Sequence, residues 1–337
     1  MSGGEPSSIK QFSRCAARVP VLSERCVPRA GVTFDWKVYG LVLQPGLLYF
    51  YICTHVEDIM KVGVSSYSFG RYRRATGASL ADVCRKAGEI GFDAIEFITL
   101  DGEDRIAQAK ELRALCAELG LEISAYTVGA NLMSEDVESV VANLLHCVDV
   151  TEALGAKIMR HDVCYSMPEG ISWEAAIEQM APHIRRVTEY AKGKGIRTCT
   201  ENHGFIFQDS CRVKKLIDTV GDENYRWLVD LGNFLCTDES PLSAVRTAAP
   251  YAIHVHAKDF IFRPASSLDP EGFIRTRGGN YIRGTVAGHG VVPLYECVKL
   301  LKESGYDGTL SLEFEGLEDN VPALEMGYRT LRRLADI

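Results

Sequence analysis

The stretch SLADVCRKAGEIGFDAIEFI, residues 79–98, decides the fold. Ser79 stands where a helix cap belongs, with Asp82 three residues on. Leu80, Val83, Cys84, Ala87 and Ile90 then recur at spacings of three and four, which is the apolar face of a helix. Gly91 ends that helix, because the residue after a helix often turns left-handed and only glycine does so cheaply. Phe92–Ile98 follows as a short β-rich run. The same unit returns at Gly120 before Leu121–Thr127, Gly155 before Ala156–His161 and Gly195 before Ile196–Glu201. It returns again at Gly221 before Tyr225–Asp230 and Gly305 before Thr309–Glu313. Lys61–Ser68 supplies a first strand and Tyr251–His256 a seventh. Eight strands alternating with eight helices, the last over about Val321–Ala335, require a parallel sheet, and a closed (β/α)8 TIM barrel fits them best.

Residues 1–59 do not share this pattern. They are rich in Gly, Ser, Arg and Pro, show no sustained period, and carry one apolar patch at Leu47–Ile52. The expected organisation is an extension over 1–59, disordered or foreign to the natural chain, followed by the barrel over 60–337. No Gly-x-Gly-x-x-Gly follows a strand, which argues against a dinucleotide fold. The formal net charge of −8 disfavours a nucleic-acid partner, and the densest basic cluster is read as Arg275, Arg277 and Arg283 in one loop. No run is long and apolar enough for a membrane span. The eleven cysteines are odd in number and scattered without a Cys-x-x-Cys pair, so free thiols in a reducing cytoplasm are expected.

In such a barrel the C-terminal strand ends converge on one mouth, where chemistry happens. Four consecutive strands end in Glu201, Asp230, His256 and Glu313. Three carboxylates in one concavity repel one another unless a cation neutralises them. With one imidazole they make a hard, oxygen-rich set suited to one divalent ion, Mn2+ first, Mg2+ or Co2+ next, and Zn2+ less well. Any one of the four alone reads more often as a loop cap or a solvated charge than as a ligand.

The segments Thr200-Glu201-Asn202-His203-Gly204, Val229-Asp230-Leu231-Gly232-Asn233, His254-Val255-His256-Ala257-Lys258-Asp259 and Leu310-Ser311-Leu312-Glu313 resemble signature strands of the xylose-isomerase-like barrel superfamily. Gly288-His289-Gly290-Val291-Val292-Pro293-Leu294 resembles its turn before the seventh helix, and the likeness covers about residues 60–337. It implies metal ligation by Glu201, Asp230, His256 and Glu313, with Glu201 and Glu313 moving the proton. Asn233 departs from the pattern, since the epimerases resembling this chain often have His there; this also weakens a nuclease reading, which needs further histidines.

The expected function is a metal-dependent sugar isomerase or epimerase acting through an enediolate on a sugar, keto-sugar or cyclitol. The alternative is a metal-dependent lyase or dehydratase on an oxidised sugar, such as a 3-oxo-glycoside deglycosidase catalytic subunit or an inosose dehydratase. A nuclease or a non-enzymatic sugar-binding protein comes last. His161 is a further expected catalytic base. Glu96, His203, Lys258 and Arg275 are expected to bind substrate, while Lys258 and Asp259 read equally as an ion pair. Phe260–Ala287 reads as a long loop, a lid or an oligomer contact. Glu315-Gly316-Leu317-Glu318-Asp319 after the last strand argues against a phosphorylated substrate at the usual barrel site. Expected partners are a small sugar-like substrate and a second copy of the chain or a small partner subunit.

Overall fold

The computed structural model describes residues 36–44, 47–54, 60–267 and 269–337. Its strands β1 (Val62–Ser65), β2 (Ala94–Ile98), β3 (Glu122–Val128), β4 (Ile158–His161), β5 (Arg197–Glu201), β6 (Tyr225–Asp230), β7 (Ala252–Ala257) and β8 (Leu310–Leu312) are all parallel. They close into one barrel, with Leu310 of β8 paired to both Val62 of β1 and Val255 of β7. The eight-unit expectation therefore holds.

The outer layer is α1 (Leu80–Ile90), α2 (Arg105–Leu119), α3 (Val137–Leu154), α4 (Trp173–Gly193), α5 (Ser210–Val220), α6 (Pro241–Ala248), α7 (Leu294–Glu303) and α8 (Asn320–Ala335). A further short helix, Gly70–Thr76, lies between β1 and α1. Local chemistry explains the boundaries. Ser79 and Asp82 form the reciprocal cap of α1, and Asp104, Asp136, Ser172 and Asp209 each accept from a first-turn amide of the helix they precede. Gly91 and Gly120 end α1 and α2 with φ of 107° and 71°, a region closed to most side chains.

The core has two parts. A large apolar layer fills the space between strands and helices, while Cys199, Leu228 and Ile253 plug the barrel interior. Above that plug the inward side chains become polar, which places a site at the C-terminal mouth.

The segment after β7 is more ordered than the expected loop. Asp259–Arg263 and Tyr281–Thr285 pair antiparallel, and Ile274–Arg275 adds a third strand. Within the N-terminal segment, Trp36–Gln44 and Leu47–Thr54 form an antiparallel hairpin that belongs to a separate unit. The expectation of disorder over the rest of residues 1–59 lies outside the described residues. Among the described residues no helix is long and apolar enough to cross a membrane.

Candidate metal centre

β5, β6, β7 and the segment after β8 bring Glu201, Asp230, His256 and Glu313 together, with one ligand atom from each within 4.8 Å of all the others. His256 Nδ1 lies 3.7 Å from a Glu201 oxygen, 3.7 Å from Asp230 Oδ2 and 3.5 Å from Glu313 Oε2. The sequence-expected ligand set is therefore one cluster.

Surrounding bonds aim these atoms. The backbone amides of Gly232 and Asn233 donate to Asp230 Oδ1 at 2.8 and 2.7 Å, leaving Oδ2 turned to the cluster. Asn202 donates to the Asp230 carbonyl and accepts from the Asp230 amide and from Trp227 Nε1, locking β5 to β6. Asp230 Oδ2 and His256 Nδ1 are buried without a hydrogen-bond partner. Buried polar atoms are rarely left so, and two of them converging with carboxylate oxygens fit a divalent cation.

Electrostatics gives the same answer. Burial, and then repulsion from Glu313 and Glu201 against the pull of Lys258, pushes the Asp230 carboxyl up to about 7. Burial opposes ionisation of Glu201 too, but Arg160 and His256 hold it below the usual range; Lys258 and His256 do the same for Glu313. Arg160 and Lys258 thus offset part of the negative charge, and Asp230 carries the remainder. A dication relieves that repulsion.

Three neighbours, Arg160, Asn233 and His254, were not singled out in the sequence as site residues. Arg160 Nη2 lies 2.6 Å from Asp162 and 2.8 Å from Glu201, inside the barrel. Asn233 donates to Glu201 Oε1 at 2.9 Å and accepts from Lys258. Glu96 is engaged from two sides: His254 Nε2 donates to it at 2.6 Å, and His256 Nε2 sits 2.8–2.9 Å from both its oxygens.

That arrangement corrects the expected role of Glu96. The residue is fully buried beneath the rim and its oxygens face two histidines, so no sugar hydroxyl meets it. Its contact with His256 Nε2 instead favours the tautomer that turns an Nδ1 lone pair to the cluster. His161 is corrected as well. Adjacent strand residues face opposite ways, and Arg160 takes the interior. His161 is fully buried, stacks on Tyr225 at 5.9 Å, and has Nδ1 2.9 Å from the Asp162 carbonyl. Burial holds it neutral, down to about 4, and it does not reach the mouth.

Lys258 reaches the centre directly, and His203 is linked to it through Asp162 and Arg160. His203 is half-exposed, with Nδ1 3.0 Å from Asp162, the carboxylate that Arg160 also holds. Although burial opposes it, Asp162 raises the His203 pKa above the ordinary histidine value. Lys258 Nζ lies 2.5 Å from Glu313, 3.1 Å from Glu315 and 3.5 Å from Asp230. Asp259 does not pair with it; its carboxylate accepts the amides of Phe260, Gly288, Gly290 and Val292 and so builds the glycine turn. Arg275 stays exposed on its two-residue strand, and among the described residues makes no ion pair with the acid cluster.

Known proteins carry related chains. A family model described as "Xylose isomerase-like TIM barrel" matches residues 84–334. An inosose dehydratase of Bacillus anthracis is 23% identical over 207 residues, 58% of this chain and 70% of that one. An L-ribulose 3-epimerase structure superposes with TM-score 0.65 at 18% identity, covering 82% of this chain and 95% of that one. The IOLI protein with a bound zinc atom does so with TM-score 0.65 at 15% identity, covering 82% and 98%.

Proposed function

We propose, from the premise that the chain belongs to the xylose isomerase-like TIM barrel family, that this protein is a divalent-metal-dependent lyase. It enolises a polyhydroxylated carbonyl compound (a sugar, keto-sugar or cyclitol) and expels an oxygen substituent from the β carbon. Glu201, Asp230, His256 and Glu313 would hold the ion, and their oxygen-rich chemistry favours Mn2+. When bound, it supplies Lewis-acid stabilisation for negative charge developing on a substrate oxygen.

One observation carries the choice of elimination over isomerisation. Both carboxylates that would shuttle the proton in an isomerase are tied to buried cations, Glu201 to Arg160 at 2.8 Å and Glu313 to Lys258 at 2.5 Å. A carboxylate whose ionised form is stabilised in this way is a weak base. His203, oriented by Asp162, is the better proton acceptor, and it approaches from the loop after β5. In its neutral form it takes the proton beside the carbonyl. The His203 imidazolium so formed returns that proton to the departing oxygen as the carbon–oxygen bond breaks, and Lys258, paired with Glu313 and Glu315 at the end of β7, stabilises charge on that oxygen. With a hydroxyl as leaving group the product has lost water. The inosose dehydratase relatives agree in reaction type.

Isomerisation or epimerisation is the second reading. It shares the enolisation step, and it is favoured by the oxygen that Glu201 and Glu313 each turn to the cluster centre. Incubation with keto-sugars and inososes in D2O, followed by mass spectrometry, separates the two. Loss of water supports the lyase, and an isomer of unchanged mass supports the second reading. Turnover without exchange of a carbon-bound hydrogen sinks both. We further assign the chain to a reducing cytoplasm, since the eight cysteines of the barrel are free and seven of them are buried.

A further inference from the structure

A cavity of about 650 Å3 opens on the same barrel face between the segment after β1 and the segment after β8. Its walls include Tyr67, Arg71, Arg74, Ile98, Phe314 and Glu315. Glu315 is shared with the metal centre, because its Oε1 accepts from Lys258 Nζ at 3.1 Å, and Lys258 in turn touches Glu313. The volume lies within the range of about 300–1,000 Å3 typical of small-molecule sites.

The charge of this cavity runs against that of the whole chain. Arg71, Arg73 and Arg74 all line it, three cations within four positions, a tighter basic group than the loop arginines that stand out in the sequence. Arg73 is spent on the Ala78 carbonyl and Asp101. Arg71 is fixed by donating through Nη1 to the carbonyls of Gly316 and Glu318 at 3.1 and 2.8 Å, and among the described residues it makes no ion pair. Arg74, one turn on, makes no hydrogen bond or ion pair among the described residues. Among the described residues Glu315 is the one acid lining the cavity, against three arginines, and it also faces Lys258 at 3.1 Å. The acidic run after β8, which in the sequence argues against a phosphorylated substrate at the usual barrel site, therefore does not set the local sign.

We propose that this cavity binds an oxyanion, a carboxylate or phosphate arm of the substrate, through Arg71 and Arg74. The carbonyl end of the same molecule then lies at the metal centre. The guanidinium geometry suits either oxyanion. The coupling to catalysis rests on the lyase reading above; the binding does not.

The test is calorimetric titration of the full chain with inorganic phosphate and, separately, with D-gluconate, beside D-glucose as a neutral control. The same titrations use Arg74→Gln, whose side chain supports no backbone contact, and Arg71→Gln. The proposal expects phosphate, gluconate or both to bind while glucose is left behind. It expects Arg74→Gln to weaken that binding by about tenfold, the scale of one charged hydrogen bond. Which anion binds more tightly separates phosphate from carboxylate as the natural arm. No binding of either anion, or equal binding by wild type and both variants, overturns it. Failure of the lyase reading would appear instead as absent turnover with anion binding retained.

Discussion

Glu96 shows how much a single buried residue decides here. Its carboxylate faces both His254 and His256, so each histidine presents an N–H to it and His256 Nδ1 is left as a lone pair. In Glu96→Gln the amide accepts one such bond but donates toward the other ring, which reverses a tautomer. Divalent-metal affinity should fall about 10- to 100-fold, the usual effect of losing a carboxylate behind a metal-binding histidine. Metal titration monitored beside circular dichroism checks it; an unchanged affinity in a folded variant contradicts the role. His161 yields a second prediction. Its folded pKa of about 4 lies below the ordinary 6.5, so between those pH values the unfolded chain binds a proton that the native state refuses. Stability is therefore full above pH 6.5 and falls as the pH drops toward 4, by about 3 kcal/mol from this residue alone. His161→Phe should flatten the difference between melting temperatures at pH 7 and pH 5. If wild type and variant lose the same number of degrees, burial of a neutral imidazole is not a source of acid lability.

At the scale of elements, legibility followed physics. Helix caps and stop glycines were readable because they act over three or four residues, and the six expected stop glycines all have positive φ. The clustering of Glu201, Asp230, His256 and Glu313 was readable because closing the barrel forces strand ends together whatever the intervening sequence. What a sequence does not disclose is the phase of a short strand. Nothing in Met159-Arg160-His161-Asp162 says which of two neighbours faces inward, and the more reactive-looking histidine was the wrong one. Glu96 was misplaced for a related reason. β2 continues to Ile98, so Glu96 sits below the rim instead of on it. His254 was in reach, since it lies two residues before His256 and must share its face. The strands Asp259–Arg263 and Tyr281–Thr285 were also hidden, because their pairing spans a connection that local period does not bridge. The barrel closes through Val62 and Leu310 without any residue before Met60. A chain beginning at Met60 should therefore melt within a few degrees of the full chain and keep its metal. A larger drop would mean that residues 1–59 dock on the barrel.

The whole molecule directs buried charge toward one point. Glu201, Asp230 and Glu313 converge with His256, while Arg160 and Lys258 offset part of their repulsion and leave Asp230 Oδ2 facing the cluster without a hydrogen bond. If that point is a metal centre, the ion should be stoichiometric and should depend on Asp230 more than on any residue outside the cluster. The direct measurement is elemental analysis of the purified full chain and of Asp230→Asn, paired with turnover of an inosose. One divalent ion per active chain is predicted, with less than about a tenth of that in the variant and activity lost in proportion. Active protein with no divalent metal, or a variant that keeps both its metal and its activity, would contradict the account.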